Sequence, residues 1–338
     1  MIQTVLFVAM TGKSIGMGHV TRSLVLMNKM NDQPGFGPQL IIYTKEEGLE
    51  YEGVYPVAYG QDQLERSVKG SGASTVILDM PAVWIQAEWL CSLHKEGRRI
   101  VVIDDNDEVP PYEWINLKIS CSITLTGSAS VIHDKSAMLR GPEYIILSDQ
   151  FEQYASMNRI LKADVERMLL SFGGSDPNDI LTKVLSMLSV IRLDRSIELD
   201  IVIGKYGSQP AASLINRLPC RVKISRDVRD MPRRLWEADI ALISGGMTLY
   251  EACSLGTPII TINHNDEQEE ESGAFAHLGA SLNAGFHYTL SHRKLEDALN
   301  HMMDVQVRAR MSVLARRLSD GRGAERIMER ILNLHKEM

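Results

Sequence analysis

The alternation of elements along the chain most constrains its fold. Short runs rich in Val and Ile are each followed by a stretch of helical periodicity, and the pattern starts again halfway along. Residues 4–10, 39–43, 75–79 and 99–104 are such runs, with helical patterns at 19–30 and 82–94. A strand with one wet face alternates apolar and polar residues, whereas these runs are continuously apolar between their end residues. Strands buried on both faces and separated by helices pair into a parallel sheet. The rhythm restarts at 168–172, 199–204, 221–224, 239–244 and 258–262. The expectation is α/β with two parallel-sheet, Rossmann-like domains, and 338 residues suffice for two cores of about 150 residues each.

The junction falls within 147–164, where Ser148-Asp149-Gln150 interrupts the apolar pattern. This divides the chain into 1–155 and 156–338. Helical patterns at 295–318 and 324–335, separated by Asp320-Gly321-Arg322-Gly323, form a tail expected to pack back across the junction. There is no short repeat or low-complexity tract, which excludes solenoid and disordered architectures.

Composition narrows the function. A net charge of −7 argues against a general binder of nucleic acid or anionic membrane, so an anionic ligand needs local donors. Residues 301–338 run the other way, with eight Arg/Lys against five Asp/Glu, and read as a solvated helix face. No run approaches the roughly 18 apolar residues of a membrane span. The first ten residues lack a basic segment and read as a strand, not a signal peptide. Cys91, Cys121, Cys220 and Cys253 stand far apart without CxxC spacing, as reduced thiols of a cytoplasmic protein do. The histidines are scattered, His264 beside Asp266 reads as surface chemistry, and Asp104-Asp105 with Asp107 reads as a polar strand end rather than a Mg²⁺ site. No metal or cofactor is expected.

Three glycine-bearing turns follow predicted strands, where open α/β sheets bind ligands. The first is Gly16-Met17-Gly18-His19, whose glycines allow close backbone approach and whose helix start offers NH groups to an anion. The second is Gly173-Gly174-Ser175-Asp176-Pro177, with Asp176 as a helix cap and Pro177 at the first helical position. The third is Ser244-Gly245-Gly246-Met247-Thr248, followed by Glu251. If a helix starts near Met247, Glu251 lies one turn in and can accept two ribose hydroxyls. Gly246, Met247 and Thr248 then present NH groups to a diphosphate. None of the turns is a P-loop, and Thr21 stands where a dinucleotide fingerprint needs glycine. Residues 263–268, Asn-His-Asn-Asp-Glu-Gln, carry amides and carboxylates suited to sugar hydroxyls.

At these residues the chain resembles the GT-B nucleotide-sugar family along nearly its whole length. The matching pieces are Ile15-Gly16-Met17-Gly18-His19-Val20-Thr21-Arg22 and Leu139-Arg140-Gly141-Pro142-Glu143 in the first half. The second half adds Ser171-Phe172-Gly173-Gly174-Ser175-Asp176 and the Ser244-to-Glu251 turn, with Gly256, Pro258 and Gln268. The resemblance is strongest to the UDP-sugar hydrolases of pseudaminic acid biosynthesis and to spore-coat and surface-polysaccharide proteins. The peptidoglycan UDP-GlcNAc transferases are more distant. It implies GT-B architecture, two Rossmann-like domains whose sheets face an interdomain cleft, acting on a UDP-sugar without metal. It makes His19 the catalytic base and Glu251 the ribose ligand. Gly245, Gly246, Met247 and Thr248 become the diphosphate cradle, Val228 reads uracil through its backbone, and Gln268 binds a sugar hydroxyl. Gly16, Gly18, Arg22, Gly173, Gly174 and Ser175 join the substrate contacts.

One departure bears on the reaction. Many of these hydrolases carry Asp-x-Tyr after the strand at 75–79, whereas this chain reads Asp79-Met80-Pro81. Three functions follow: a UDP-sugar hydrolase, a glycosyltransferase using the same base on an acceptor hydroxyl, and a non-catalytic nucleotide-sugar binder.

Overall fold

A computed structural model describes residues 2–12, 15, 17–46, 55–105, 107–110, 112–124 and 137–336. The chain divides into two compact units, the first formed by 1–148 with 322–338 and the second by 149–321.

The first unit holds a seven-stranded parallel sheet. Its strands are β1 (Gln3–Met10), β2 (Phe36–Thr44), β3 (Val57–Tyr59), β4 (Thr75–Asp79), β5 (Arg99–Ile103), β6 (Leu117–Ser120) and β7 (Ala137–Arg140). Their spatial order is β3-β2-β1-β4-β5-β6-β7. β1 shows why the apolar runs are continuous. Val5, Phe7 and Ala9 pack on one face with α1 (Gly18–Asn31), while Leu6, Val8 and Met10 pack on the other with α2 (Gln61–Gly70) and α3 (Ala87–Lys95). The helical pattern at 82–94 is interrupted: residues Ala82–Trp84 form a 3₁₀ turn, and α3 begins only at Ala87.

The second unit holds six parallel strands: β8 (Arg167–Ser171), β9 (Glu198–Ile203), β10 (Arg221–Arg226), β11 (Ile240–Ile243), β12 (Ile259–Asn263) and β13 (Leu282–Phe286). Their order is β10-β9-β8-β11-β12-β13. The helices of this unit that matter below are α4 (Asp149–Ala155), α5 (Ile180–Leu188), α6 (Ala212–Ile215), α7 (Met231–Glu237), α8 (Met247–Leu255), α9 (Asp266–His277), α10 (His292–Met303) and α11 (Val305–Leu318). The single helix expected over 295–318 is split, because the Asp304 carboxylate caps a new helix by accepting from the Gln306 amide at 2.8 Å.

The division at 155 placed all of 156–338 in the second domain, and the contacts correct this. The last helix, α12 (Gly323–Leu334), buries Ala324, Ile327, Met328 and Ile331 against α1 and the first sheet. Its start lies so close to the turn at 142–145 that a Cβ on Gly323 would sit 2.2 Å from the Ile145 carbonyl oxygen. The Arg326 guanidinium then donates to the Glu143 carbonyl at 2.9 Å. Among the described residues no helix is long and apolar enough to cross a membrane.

Candidate functional site

In each sheet the strand order reverses direction once, between β1 and β4 in the first unit and between β8 and β11 in the second. Crevices open at the carboxyl ends of strands at such points. His19 and Arg22 follow the first of these points and the turns at 173–176 and 244–248 the second, whereas Val228 follows the edge strand β10 and Gln268 follows β12.

In the first unit, His19 sits in the first turn of α1, just past β1, and Asp79 ends β4. The His19 Nδ1 lies 2.7 Å from Asp79 Oδ1. The same Nδ1 lies 3.1 Å from Arg22 Nη2, which only donates, but the shorter contact is to the carboxylate, which only accepts; the proton is therefore assigned to Nδ1, with Nε2 as the proton acceptor. Asp79 is wholly buried, whereas the His19 side chain keeps 20% exposure. This pairing joins residues 60 apart in sequence and was absent from the predicted site.

Arg22 was expected to contact substrate, but the structure turns it inward. Its Nε donates to Asp79 Oδ2 at 2.8 Å, its Nη2 to Asp79 Oδ1 at 2.6 Å, and its Nη1 to Asp105. Burial opposes the guanidinium charge, yet Asp79 and Asp105 more than offset this and raise its pKa well above the ordinary value. With all three nitrogens engaged, Arg22 organises the site instead of reaching a ligand. Ser23 adds a hydroxyl to Asp79 Oδ2 at 3.2 Å. Gly18 is exposed with open space around it, and Gly16 lies outside the described residues. The acids at 104–107 are held by cations: Lys118 reaches Asp104 at 2.8 Å and Asp107 at 2.5 Å, and Arg140 pairs with Asp107. Among the described residues no group of three or more His, Cys, Asp or Glu is placed to hold a metal ion.

In the second unit, α8 starts at Met247 as expected, with Gly246 at its N-cap and no side-chain cap. Glu251 is one turn in and half-buried. Burial pushes its pKa up to about 7, against the Thr248 hydroxyl, which lowers it. Gly245 has a packing reason to be glycine: a Cβ there would lie 2.3 Å from Ser272 Oγ and 2.5 Å from the Gln268 carbonyl. Its NH also donates to Asn263 Oδ1 at 3.1 Å, so the anion donors of this turn narrow to the amides that follow it.

Asn263 organises this turn and is not a sugar ligand. It is fully buried, accepts from Ser272 at 2.8 Å and donates to Glu269 at 2.7 Å. Gln268 spends its Oε1 on the His264 amide at 3.0 Å, while its Nε2 is the atom nearest the space beside Gly246. His264 is no surface group: its Nε2 lies 3.0 Å from the Phe172 carbonyl oxygen and its Nδ1 3.1 Å from Asn178 Nδ2, tying β12 to the turn after β8.

That turn differs from its expected form. Asp176 adopts φ +45°, and α5 begins only at Ile180, so Pro177 is not its first residue. Asp176 still caps it, accepting from the Ile180 and Leu181 amides at 2.9 Å. Gly173, at φ +88°, and Gly174 are pressed against Gly204, where a Cβ would meet the Gly173 carbonyl oxygen at 2.3 Å. Ser175 is exposed beside them, and Val228 lies in the short connection between β10 and α7.

Two parallel-sheet, Rossmann-like domains make up the GT-B fold, and this chain has that fold. Residues 168–327 match the glycosyltransferase family 28 C-terminal domain. The chain is 24% identical to the spore coat polysaccharide biosynthesis protein SpsG of Bacillus subtilis, over 96% of its own length and 97% of that protein's. It is 23% identical to the UDP-2,4-diacetamido-2,4,6-trideoxy-beta-L-altropyranose hydrolase of Campylobacter jejuni, over 81% of its own length and 97% of that protein's. Among solved structures, MurG of Acinetobacter baumannii superposes with a TM-score of 0.71 at 13% identity, covering 98% of this chain and all of that one.

Proposed function

We propose that the protein cleaves a UDP-sugar, releasing UDP, with His19 as the general base that activates water, and that it serves surface-glycan assembly. The observation that carries this reading is the His19–Asp79 pair at a switch point, which leaves Nε2 free to take a proton. Glu251, Met247 and Thr248 are the groups proposed to hold ribose and diphosphate, with Val228 reading the base and Gln268 Nε2 a sugar hydroxyl. The similarity to a UDP-sugar hydrolase and to a spore-coat polysaccharide protein supports the substrate class.

Transfer to an acceptor is the second reading, favoured by Pro81, which offers no side-chain group where many of the related hydrolases carry a tyrosine. The test incubates the protein with a panel of UDP-sugars and measures UDP and free sugar. Equal release of both without acceptor supports hydrolysis, while release only on adding a glycan acceptor supports transfer. His19→Ala is expected to lower turnover by about 10² to 10⁴ with UDP binding retained. Undiminished turnover in that variant removes His19 from the reaction, and UDP binding without turnover on any sugar leaves a binding protein.

A further inference from the structure

We propose that Asp105, which does not touch His19, is a positioning residue that sets how readily His19 holds a proton, acting through Arg22. Its catalytic meaning rests on His19 being the base proposed above. The Asp79 carboxylate that orients His19 is clamped by two nitrogens of Arg22, at 2.8 and 2.6 Å. A carboxylate paired that closely with a guanidinium presents almost no net charge to its neighbour. Asp79 therefore fixes the tautomer of His19 without by itself supporting an imidazolium.

Asp105 restores the missing charge. It pairs with the opposite nitrogen of the same guanidinium, so Asp79, Arg22 and Asp105 together carry one net negative charge. That charge is cancelled when His19 takes up a proton. Asp105 is also held in place from β6: the Cys121 Sγ donates to its carboxylate at 3.0 Å, and Ser120 Oγ donates to its carbonyl at 2.9 Å. Half-burial works against its ionisation, but Arg22 and the Cys121 thiol keep the Asp105 carboxyl below the ordinary range.

The other charges around α1 balance out. Lys118 and Arg140 are matched by Asp104 and Asp107 in the adjoining ion-pair network. α12, packed on α1, carries Glu325 and Glu329 against Arg326 and Arg330. Past β2, Lys45 lies 3.5 Å over the Trp84 ring, and the adjoining Glu46, whose Oε1 lies 3.1 Å from where a Cβ on Gly12 would sit, carries the opposite charge. Within the Asp79–Arg22–Asp105 group, Asp105 supplies the negative charge that a proton on His19 cancels.

The experiment follows the His19 Cε1–H signal by NMR against pH in the unliganded protein, assigned by its loss in His19→Gln. Asp105→Asn and Asp105→Ser are expected to move the midpoint of that titration down by about one pH unit. Asp105→Glu, which keeps the charge, is expected to restore it. The acid limb of the kcat/KM profile for UDP-sugar cleavage moves down with it. A folded neutral variant that titrates like the wild type overturns the proposal. So does failure of both neutral variants to fold while Asp105→Glu folds, which makes the carboxylate a structural tie only. Because the titration needs no turnover, it stands or falls separately from the cleavage reaction.

Discussion

Glu251 should make nucleotide-sugar binding depend steeply on pH. To accept hydrogen bonds from two ribose hydroxyls it must be ionised, yet burial places its pKa at about 7, above the ordinary 4.5. A carboxyl with that pKa is about nine-tenths ionised at pH 8 and about one-thirtieth ionised at pH 5.5. Affinity should therefore be flat above pH 8 and fall about 30-fold by pH 5.5, or about 2 kcal/mol. The assay is calorimetry with UDP-glucose, whose diphosphate diester has no group titrating in this range, unlike the terminal phosphate of UDP. Repeating it in buffers of different ionisation enthalpy at pH 6 should reveal close to one proton released per ligand bound. Glu251→Gln should flatten the profile and weaken binding at pH 8 by about tenfold or more, the usual size of a lost hydrogen bond to a charged group. The same substitution should stabilise the unliganded protein at pH 8 by up to about 3 kcal/mol, because it removes a buried charge. A wild-type affinity independent of pH, or a Glu251→Gln variant that keeps the slope, refutes the assignment.

Two further outcomes concern stability. Gly323 has ordinary helical geometry, so alanine there would normally be favourable, but the collision with the Ile145 carbonyl should make Gly323→Ala cost about 3 kcal/mol in chemical denaturation; an unchanged midpoint would show that α12 can shift. His335 is 7% exposed, and its pKa is lowered from 6.5 to about 4 by burial and by Arg99. Between those values the unfolded chain binds the extra proton, so this group's contribution is complete above pH 6.5 and is lost as pH falls towards 4, about 3 kcal/mol in all. His335→Gln should reduce the pH slope of stability in that window, and a slope equal to wild type would count against this account.

Most strands legible in the sequence are apolar on both faces, such as β1, β4 and β5, while the half-exposed edge strand β10 was legible from its Val222 and Ile224. β6 escaped because its Lys118 reads as exposed, and the Asp104 and Asp107 carboxylates with the Val109 carbonyl allow it to be buried. β13 is broken in pattern by Asn283 and by Gly285, whose φ is +83°. At the site, His19 and Glu251 could be located because each follows a strand and a glycine turn, which are local signals. Asp79 could not be paired with His19 in the same way. Their meeting depends on β4 lying beside β1, with β2 and β3 displaced to the other side, a fact of topology that no short window contains. For the same reason Arg22 reads as a free cation in sequence and is a buried one in the fold.

The return of residues 322–338 to the first unit also bears on how the protein can be made. The second unit is contiguous in the chain, so it can finish folding during synthesis while the first, although begun earlier, still lacks one of its helices. Until that helix arrives, the apolar surface around α1 that it covers is exposed, and the first unit is the one open to chaperones and proteases. A fragment stopping at Ser148 would be left permanently in that state, whereas 149–321 is the piece to express when the second unit is wanted by itself.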